Sequence, residues 1–120
     1  MINLNMGLAG SSNRSIALRT IRAMELFRPF ITVVAWTYPP RVLYVYEDGE
    51  VADWWSPDKE EEVSTDPKIR LKLQYFEHIQ NESQDLNNLM YDIRVVEMAA
   101  HRFNTNLCQV FVYLDASDQN

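Results

Sequence analysis

The sequence predicts an α+β domain with a mainly antiparallel sheet of four or five strands and two helices packed on one face of that sheet. Three observations lead to this prediction: apolar residues recur at helical spacing near both ends of the chain, two turn signals separate three β-rich runs, and the composition is 47% hydrophobic and 23% charged. That composition is typical of a globular protein, and 120 residues match one domain. The predicted order is α-β-β-β-(β)-α-β within a single domain, residues 1–120.

The N-terminal part of the chain is expected to form an arm and then a helix. Residues 1–13 alternate apolar side chains before they break into glycines and serines, which favours an extended arm followed by a loop. The first helix is expected over about 14–27, because apolar residues recur there at helical spacing and Pro29 follows.

Three consecutive strands are expected after this helix. Residues 30–38 are almost all β-branched or aromatic and are followed by two prolines, which end a strand. Residues 41–47 form a second β-rich run. Asp48-Gly49 is a dipeptide favoured in tight hairpin turns, and the third strand is expected at 51–55. These turns predict an antiparallel meander.

The second half of the chain is expected to contain a loop, an ambiguous segment, a long helix and a last strand. Residues 56–67 form an acidic loop by composition. The alternation in 68–76 favours a fourth strand, although its apolar spacing would equally suit a helix. Residues 82–103 have the clearest amphipathic pattern and predict a helix. The apolar run 107–114 predicts a central strand covered on both faces.

Charge is distributed unevenly along the chain, whose net charge is −6. Residues 1–46 hold five arginines against one acid, whereas residues 47–66 hold nine acids against one lysine. Arg19 and Arg22 lie three positions apart and share one side of the first helix. We expect this side to contact residues 47–62 of a neighbouring copy, a head-to-tail contact that closes a ring when the rotation permits.

The adjacent Trp54 and Trp55 provide a second candidate contact. Neighbouring residues of a strand point to opposite faces, so only one of the two can enter the core. The other is covered by another part of the chain or by a partner protein, and exposed tryptophan is enriched in protein interfaces. The predicted partner-binding residues are therefore Arg19, Arg22, Trp54, Trp55, Glu60, Glu61 and Glu62.

The sequence has no catalytic, nucleotide-binding or metal-binding motif. The loop at 7–13 lacks the lysine and the glycine spacing of phosphate-binding loops. His78 with Glu82, and Glu97 with His101, have the spacing of two metal ligands on a helix, but a site needs three or four ligands and the sequence marks no others. We expect a protein that is not an enzyme and holds no cofactor and no metal.

The expected function is assembly through protein–protein contacts, with copies of the chain or other assembly subunits as partners. The order helix, meander, helix, strand resembles that of small phage tail-terminator and neck subunits, which form rings. This resemblance concerns the element order of the whole chain and includes no motif. It implies a homo-oligomeric structural component that is synthesised in the cytoplasm and incorporated in a virion. The alternative is a small acidic inhibitor that imitates nucleic acid and blocks a host enzyme or defence protein.

Neither direct nucleic-acid binding nor a membrane span is expected. The N-terminal arginines form no dense basic stripe, and an acidic chain repels phosphate. The apolar run 30–36 is far shorter than the roughly 20 residues that a membrane helix needs. The lone Cys108 excludes an internal disulfide and favours a reducing compartment.

Overall fold

A computed structural model describes residues 3–8 and 10–111 of the chain. This part contains both helices and strands, which confirms the α+β class. The elements are, in order, α1 (Asn13–Phe27), β1 (Ile31–Trp36), β2 (Val42–Val45), β3 (Val51–Trp54), α2 (Lys59–Glu62), α3 (Pro67–His78), α4 (Glu82–Arg102) and β4 (Asn106–Phe111). None of the helices among these residues is long and apolar enough to cross a membrane.

The prediction of one antiparallel sheet with four or five strands is wrong. The strands form two separate two-stranded sheets. β1 pairs in parallel with β4, and the register runs from Ile31 opposite Asn106 to Trp36 opposite Phe111. β2 pairs with β3 in antiparallel orientation, as the turn at Asp48-Gly49 predicts.

The predicted three-stranded meander does not form because the chain leaves β1 in another direction. The side chain of Asn13, at the start of α1, binds both backbone groups of Thr37: its Nδ2 donates to the carbonyl at 3.0 Å, and its Oδ1 accepts from the N–H at 2.7 Å. These are the groups with which a neighbouring strand would pair. The segment after β1 is therefore tied to α1 and does not fold back along β1.

The preference for a strand over 68–76 is also wrong, because this segment lies in helix α3. Asp66 caps the helix by accepting a hydrogen bond from the Lys68 N–H at 2.9 Å, and Pro67 occupies the first turn. Both features favour a helix start and outweigh the alternation of apolar residues. The predicted acidic loop contains the short helix α2, in which Asp58 and Glu61 form a reciprocal capping box.

The core lies between α1, α4 and one face of the β1–β4 sheet. Met24 of α1, Val34 and Trp36 of β1 and Val96 of α4 are buried together. The indole N–H of Trp36, a fully buried side chain, donates to Gln109 Oε1 on β4 at 2.8 Å. Two helices therefore do pack on one face of a sheet, as predicted, although this sheet has two strands.

Two further predictions concern the ends of the described chain. Residues 3–8 of the predicted arm are exposed and lie outside regular structure. The last predicted strand was expected to be covered on both faces, but Cys108 and Val110 of β4 are exposed, so the prediction is wrong for the described part of it. Residues 112–114 of that predicted strand lie outside the described residues.

Candidate interaction surface

The β1–β4 sheet is covered on one face and open on the other. Side chains alternate along both strands, and those that point away from α1 and α4 are all exposed. The parallel register places Val33 beside Cys108 and Ala35 beside Val110. We call this surface the outer sheet face; its residues are Ile31, Val33, Ala35, Asn106, Cys108 and Val110.

The outer sheet face is apolar to a degree that is unusual for solvent-exposed strands. Ile31 is 58% exposed, Val33 65% and Val110 45%. Side chains of this kind expose on the order of 100 Å² each, so together they form an apolar patch of a few hundred Å². Parallel strands are nearly always covered on both faces. The outer sheet face therefore has the character of a surface that a further layer of protein covers.

The edges of this sheet are open as well. Among the described residues, no third strand pairs with β1 or with β4. Phe30, which directly precedes β1, is 79% exposed. An open edge beside an apolar face is a feature that natural proteins usually protect by covering it.

The two predicted tryptophans point in different directions, as strand alternation predicts. Trp54 is buried, and its ring stacks on Tyr44 with centroids 4.1 Å apart. Its indole N–H donates to the Tyr46 hydroxyl at 3.3 Å. Tyr75 of α3 also contacts this ring, with centroids 5.9 Å apart. Trp54 therefore anchors α3 to the β2–β3 hairpin and is not available to a partner.

Trp55 is 47% exposed and is covered in part by its own chain. The charged groups of Arg41 and Lys72 lie 5.7 and 5.5 Å from its ring, within the range of cation–π attraction. On another side, a Cβ atom at Gly10 would lie 3.0 Å from the ring, and Gly10 has φ +80, a conformation that favours glycine. Intramolecular contacts therefore account for much of the surface of Trp55.

Within one chain, Arg19 and Arg22 form no ion pair with Glu60, Glu61 or Glu62. Arg19 donates to the Ser11 hydroxyl at 2.6 Å, whereas Arg22 is exposed and forms no ion pair with the described residues. Glu61 binds Lys72 Nζ at 2.9 Å, while Glu60 and Glu62 are exposed. The intermolecular contact stays a prediction, with Arg22, Glu60 and Glu62 as its exposed charges.

Asp53 has a role that sequence reasoning missed when it treated this residue as one acid of a charged segment. Its Oδ1 accepts hydrogen bonds from the Ser12 hydroxyl and the Ser15 hydroxyl, both at 2.6 Å, and from the Ser12 N–H at 3.0 Å. Burial would raise the pKa of Asp53, but these hydrogen bonds and the charge of Arg19 lower it below its ordinary value. Asp53 thus joins β3 to the first turn of α1.

A small cleft is the second feature that sequence reasoning missed. It has a volume of about 150 Å³ and lies between the start of α1, the chain entering β2 and the first half of α4. Asp85 and Asp92, both on α4, line it and are only 3% and 4% exposed. Leu86 and Met90 belong to the apolar pattern that predicted this helix, but both are exposed, so that pattern does not coincide with the buried face.

The histidine pairs that resemble metal ligands do not gather into a site. Among the residues described, no group of three or more His, Cys, Asp and Glu side chains is placed to hold a metal ion. His78 lies 3.8 Å from Glu77, and both side chains are exposed.

No protein-family model matches the sequence, and no curated protein or solved structure is significantly similar to it. The function must therefore be inferred from the residues of this chain alone.

Proposed function

We propose that this protein is a non-enzymatic assembly subunit that associates with copies of itself through the outer sheet face. The observation that supports this proposal is the exposed apolar face of a parallel two-stranded sheet. Covering such a face removes apolar area from water, which is the main driving force of protein association.

A second copy is the partner that suits this face best. None of the six residues of the outer sheet face is charged, although each chain carries a net charge of −6. Two copies with this net charge repel each other, and an uncharged face lets them approach without adding a contact between like charges. In a two-fold contact the same patch serves both copies, so an apolar strip is complementary to itself.

A ring requires a second contact of a different kind. A two-fold contact alone closes a pair, whereas a head-to-tail contact continues from one copy to the next. Arg22 on α1 and the exposed Glu60 and Glu62 on α2 are charges of opposite sign that are available for such a contact. The narrower proposal, a ring-forming component of a virion neck or tail terminus, depends on this second contact, because the three-stranded meander on which the resemblance to such subunits rested does not form.

Cross-linking through the native thiol tests the proposed face. Cys108 is exposed near the middle of the outer sheet face, so a two-fold contact brings the two Cys108 side chains close together. A short bismaleimide should join two copies of the unmodified protein at low micromolar concentration. The matched control is the double variant Cys108→Ser with Gln74→Cys, which moves the thiol to an exposed position of α3. Equal cross-linking of both proteins would show that Cys108 does not lie in the contact.

The acidic inhibitor is supported less well. Six of the nine acids in 47–66 accept hydrogen bonds within the chain, as caps, turn residues or partners of lysine and serine side chains: Asp48, Glu50, Asp53, Asp58, Glu61 and Asp66. A nucleic-acid mimic needs an array of carboxylates that face outward without partners. The structure leaves fewer such groups than the composition suggests.

A further inference from the structure

We infer that the cleft between α1, β2 and α4 binds a small zwitterion of amino-acid size, with an ammonium group held by Asp85 and a carboxylate held by Arg41. This site is separate from the outer sheet face, and the inference does not depend on self-association. The cleft has a volume of about 150 Å³, and Asn13, Arg14, Arg41, Asp85 and Asp92 are among the residues that line it.

The two aspartates stand where the helix would ordinarily place apolar residues. Asp85 and Asp92 are seven positions apart, and Leu89 and Val96 continue the same buried stripe of α4. Burying a carboxylate costs free energy unless it is fully paired. Burial raises the pKa of Asp92 although Arg14 opposes the rise. Placing two carboxylates on this stripe weakens the core, which is typical of a functional site.

Neither carboxylate is saturated by its neighbours. Arg14 Nε donates to Asp92 Oδ1 at 2.5 Å, and Gln80 Nε2 donates to Asp85 Oδ2 at 2.7 Å. One oxygen of each group thus has no hydrogen bond with the described side chains. Every fully buried side-chain oxygen of the described residues has a hydrogen-bond partner. Since these two oxygens have none, they are not fully buried and solvent reaches them. Both residues line the cleft, so a ligand in the cleft would lie next to them.

Arg41 supplies the complementary charge. Its guanidinium lies over the rings of Tyr38 and Trp55, at 5.8 and 5.7 Å, and forms no ion pair with the described residues. Arg41 is also one of the residues that line the cleft, and a guanidinium without an ion pair can bind a carboxylate through two parallel hydrogen bonds.

The rest of the lining defines the ligand more closely. Two carboxylates and two guanidinium groups balance, so the cleft suits a ligand that carries both charges and is neutral overall. Apolar walls formed by Pro39, Val42, Leu43 and Leu89 suit a short aliphatic side chain. The volume of about 150 Å³ has room for several water molecules and therefore for a ligand with a few non-hydrogen atoms.

Calorimetric titration of the full chain with L-valine tests this inference. We expect saturable binding, and we expect isovalerate, which lacks the ammonium group, and isobutylamine, which lacks the carboxylate, each to bind at least about tenfold more weakly. Asp85→Asn and Arg41→Gln should each weaken valine binding by a similar factor, whereas Arg22→Gln, at an exposed position of α1, should leave it unchanged.

Two results would overturn the inference. One is the absence of saturable valine binding to the unmodified protein. The other is equal binding of valine and its two analogues, which would show that the cleft does not recognise the pair of charges. The analogue series uses the unmodified protein, so it decides the question even if Asp85→Asn fails to fold.

Discussion

Val33→Glu should convert the self-associated protein into a monomer. Val33 lies in the outer sheet face beside Cys108 and is 65% exposed in the single chain. A two-fold contact would bury this glutamate twice and place two like charges near each other. Burying an unpaired charge costs at least about 3 kcal/mol, which weakens the dissociation constant at least about 100-fold. Static light scattering over a concentration series measures this change.

The matched control for this variant is Val63→Glu. Val63 follows α2, is 81% exposed and lies outside the β1–β4 sheet. Both variants replace an exposed valine with glutamate, so they add the same charge to the protein. Association that persists unchanged in Val33→Glu, or that is lost equally in Val63→Glu, would show that the outer sheet face is not the contact.

Asp53→Ala should destabilise the fold by about 3 kcal/mol at neutral pH, because hydrogen bonds to a charged acceptor contribute about 1.5–3 kcal/mol each and are not additive. The substitution removes the acceptor of three hydrogen bonds. The hydroxyls of Ser12 and Ser15 then lose the carboxylate to which they donate. The contact between β3 and the start of α1 is lost at the same time. Urea denaturation, followed by circular dichroism, measures the change in the free energy of unfolding.

The effect of Asp53→Ala should also depend on pH. The pKa of Asp53 is lowered in the folded protein, so the stability that its charge contributes is fully present above the ordinary aspartate value of about 3.9. That stability is lost as the pH falls through the lower pKa of the folded state. The difference between the variant and the unmodified protein should therefore shrink below about pH 4.

Asp92 contributes to the pH dependence with the opposite sign. Its pKa is raised by burial, so protonation favours the folded state as the pH falls through that raised value. Asp53→Ala and the unmodified protein both retain Asp92, so its effect on stability cancels in the difference between them. Glu60→Ala, at an exposed position, is the control and should change stability little at any pH. A loss in Asp53→Ala no larger than in Glu60→Ala would contradict the role given to Asp53.

The sequence predicted the two long helices correctly, because the residues that begin each helix are its neighbours in the chain. The first helix was expected at about 14–27 and spans Asn13–Phe27, and the long helix was expected at about 82–103 and spans Glu82–Arg102. Capping side chains at Ser12 and Asn81 begin these helices. Caps act within one turn of a helix, so the sequence shows them directly.

Pairing between distant strands was not visible in the sequence. β1 and β4 are separated by most of the chain, and nothing in either strand specifies the other as its partner. The alternation in 68–76 predicted a strand because it was weighed without the cap at Asp66 and the proline that follows. In this segment the helix start outweighed the alternation of apolar residues, because the cap satisfies a backbone N–H group of the first turn.

The candidate sites could not be predicted from composition, because composition does not show which side chains pair with one another or which faces are covered. The acidic segment was visible, but its acids serve mainly as caps and internal partners, as Asp58 and Glu61 show. The apolar run of β4 predicted cover on both faces, and the sequence does not say whether the cover comes from the same chain. The burial of Asp85 and Asp92 was not visible in the sequence, because aspartates are rarely buried and the amphipathic pattern of 82–103 marks only apolar residues.

Sedimentation velocity of the unmodified protein at low salt and at about 1 M sodium chloride tests self-association through the outer sheet face most directly. At about 1 M salt the Debye length is about 3 Å, so contacts between exposed charges weaken while apolar contacts persist. We expect at least a dimer that persists at high salt. Any larger species that depends on Arg22, Glu60 and Glu62 should dissociate to this dimer. A monomer at every concentration in both conditions would contradict the proposed assembly.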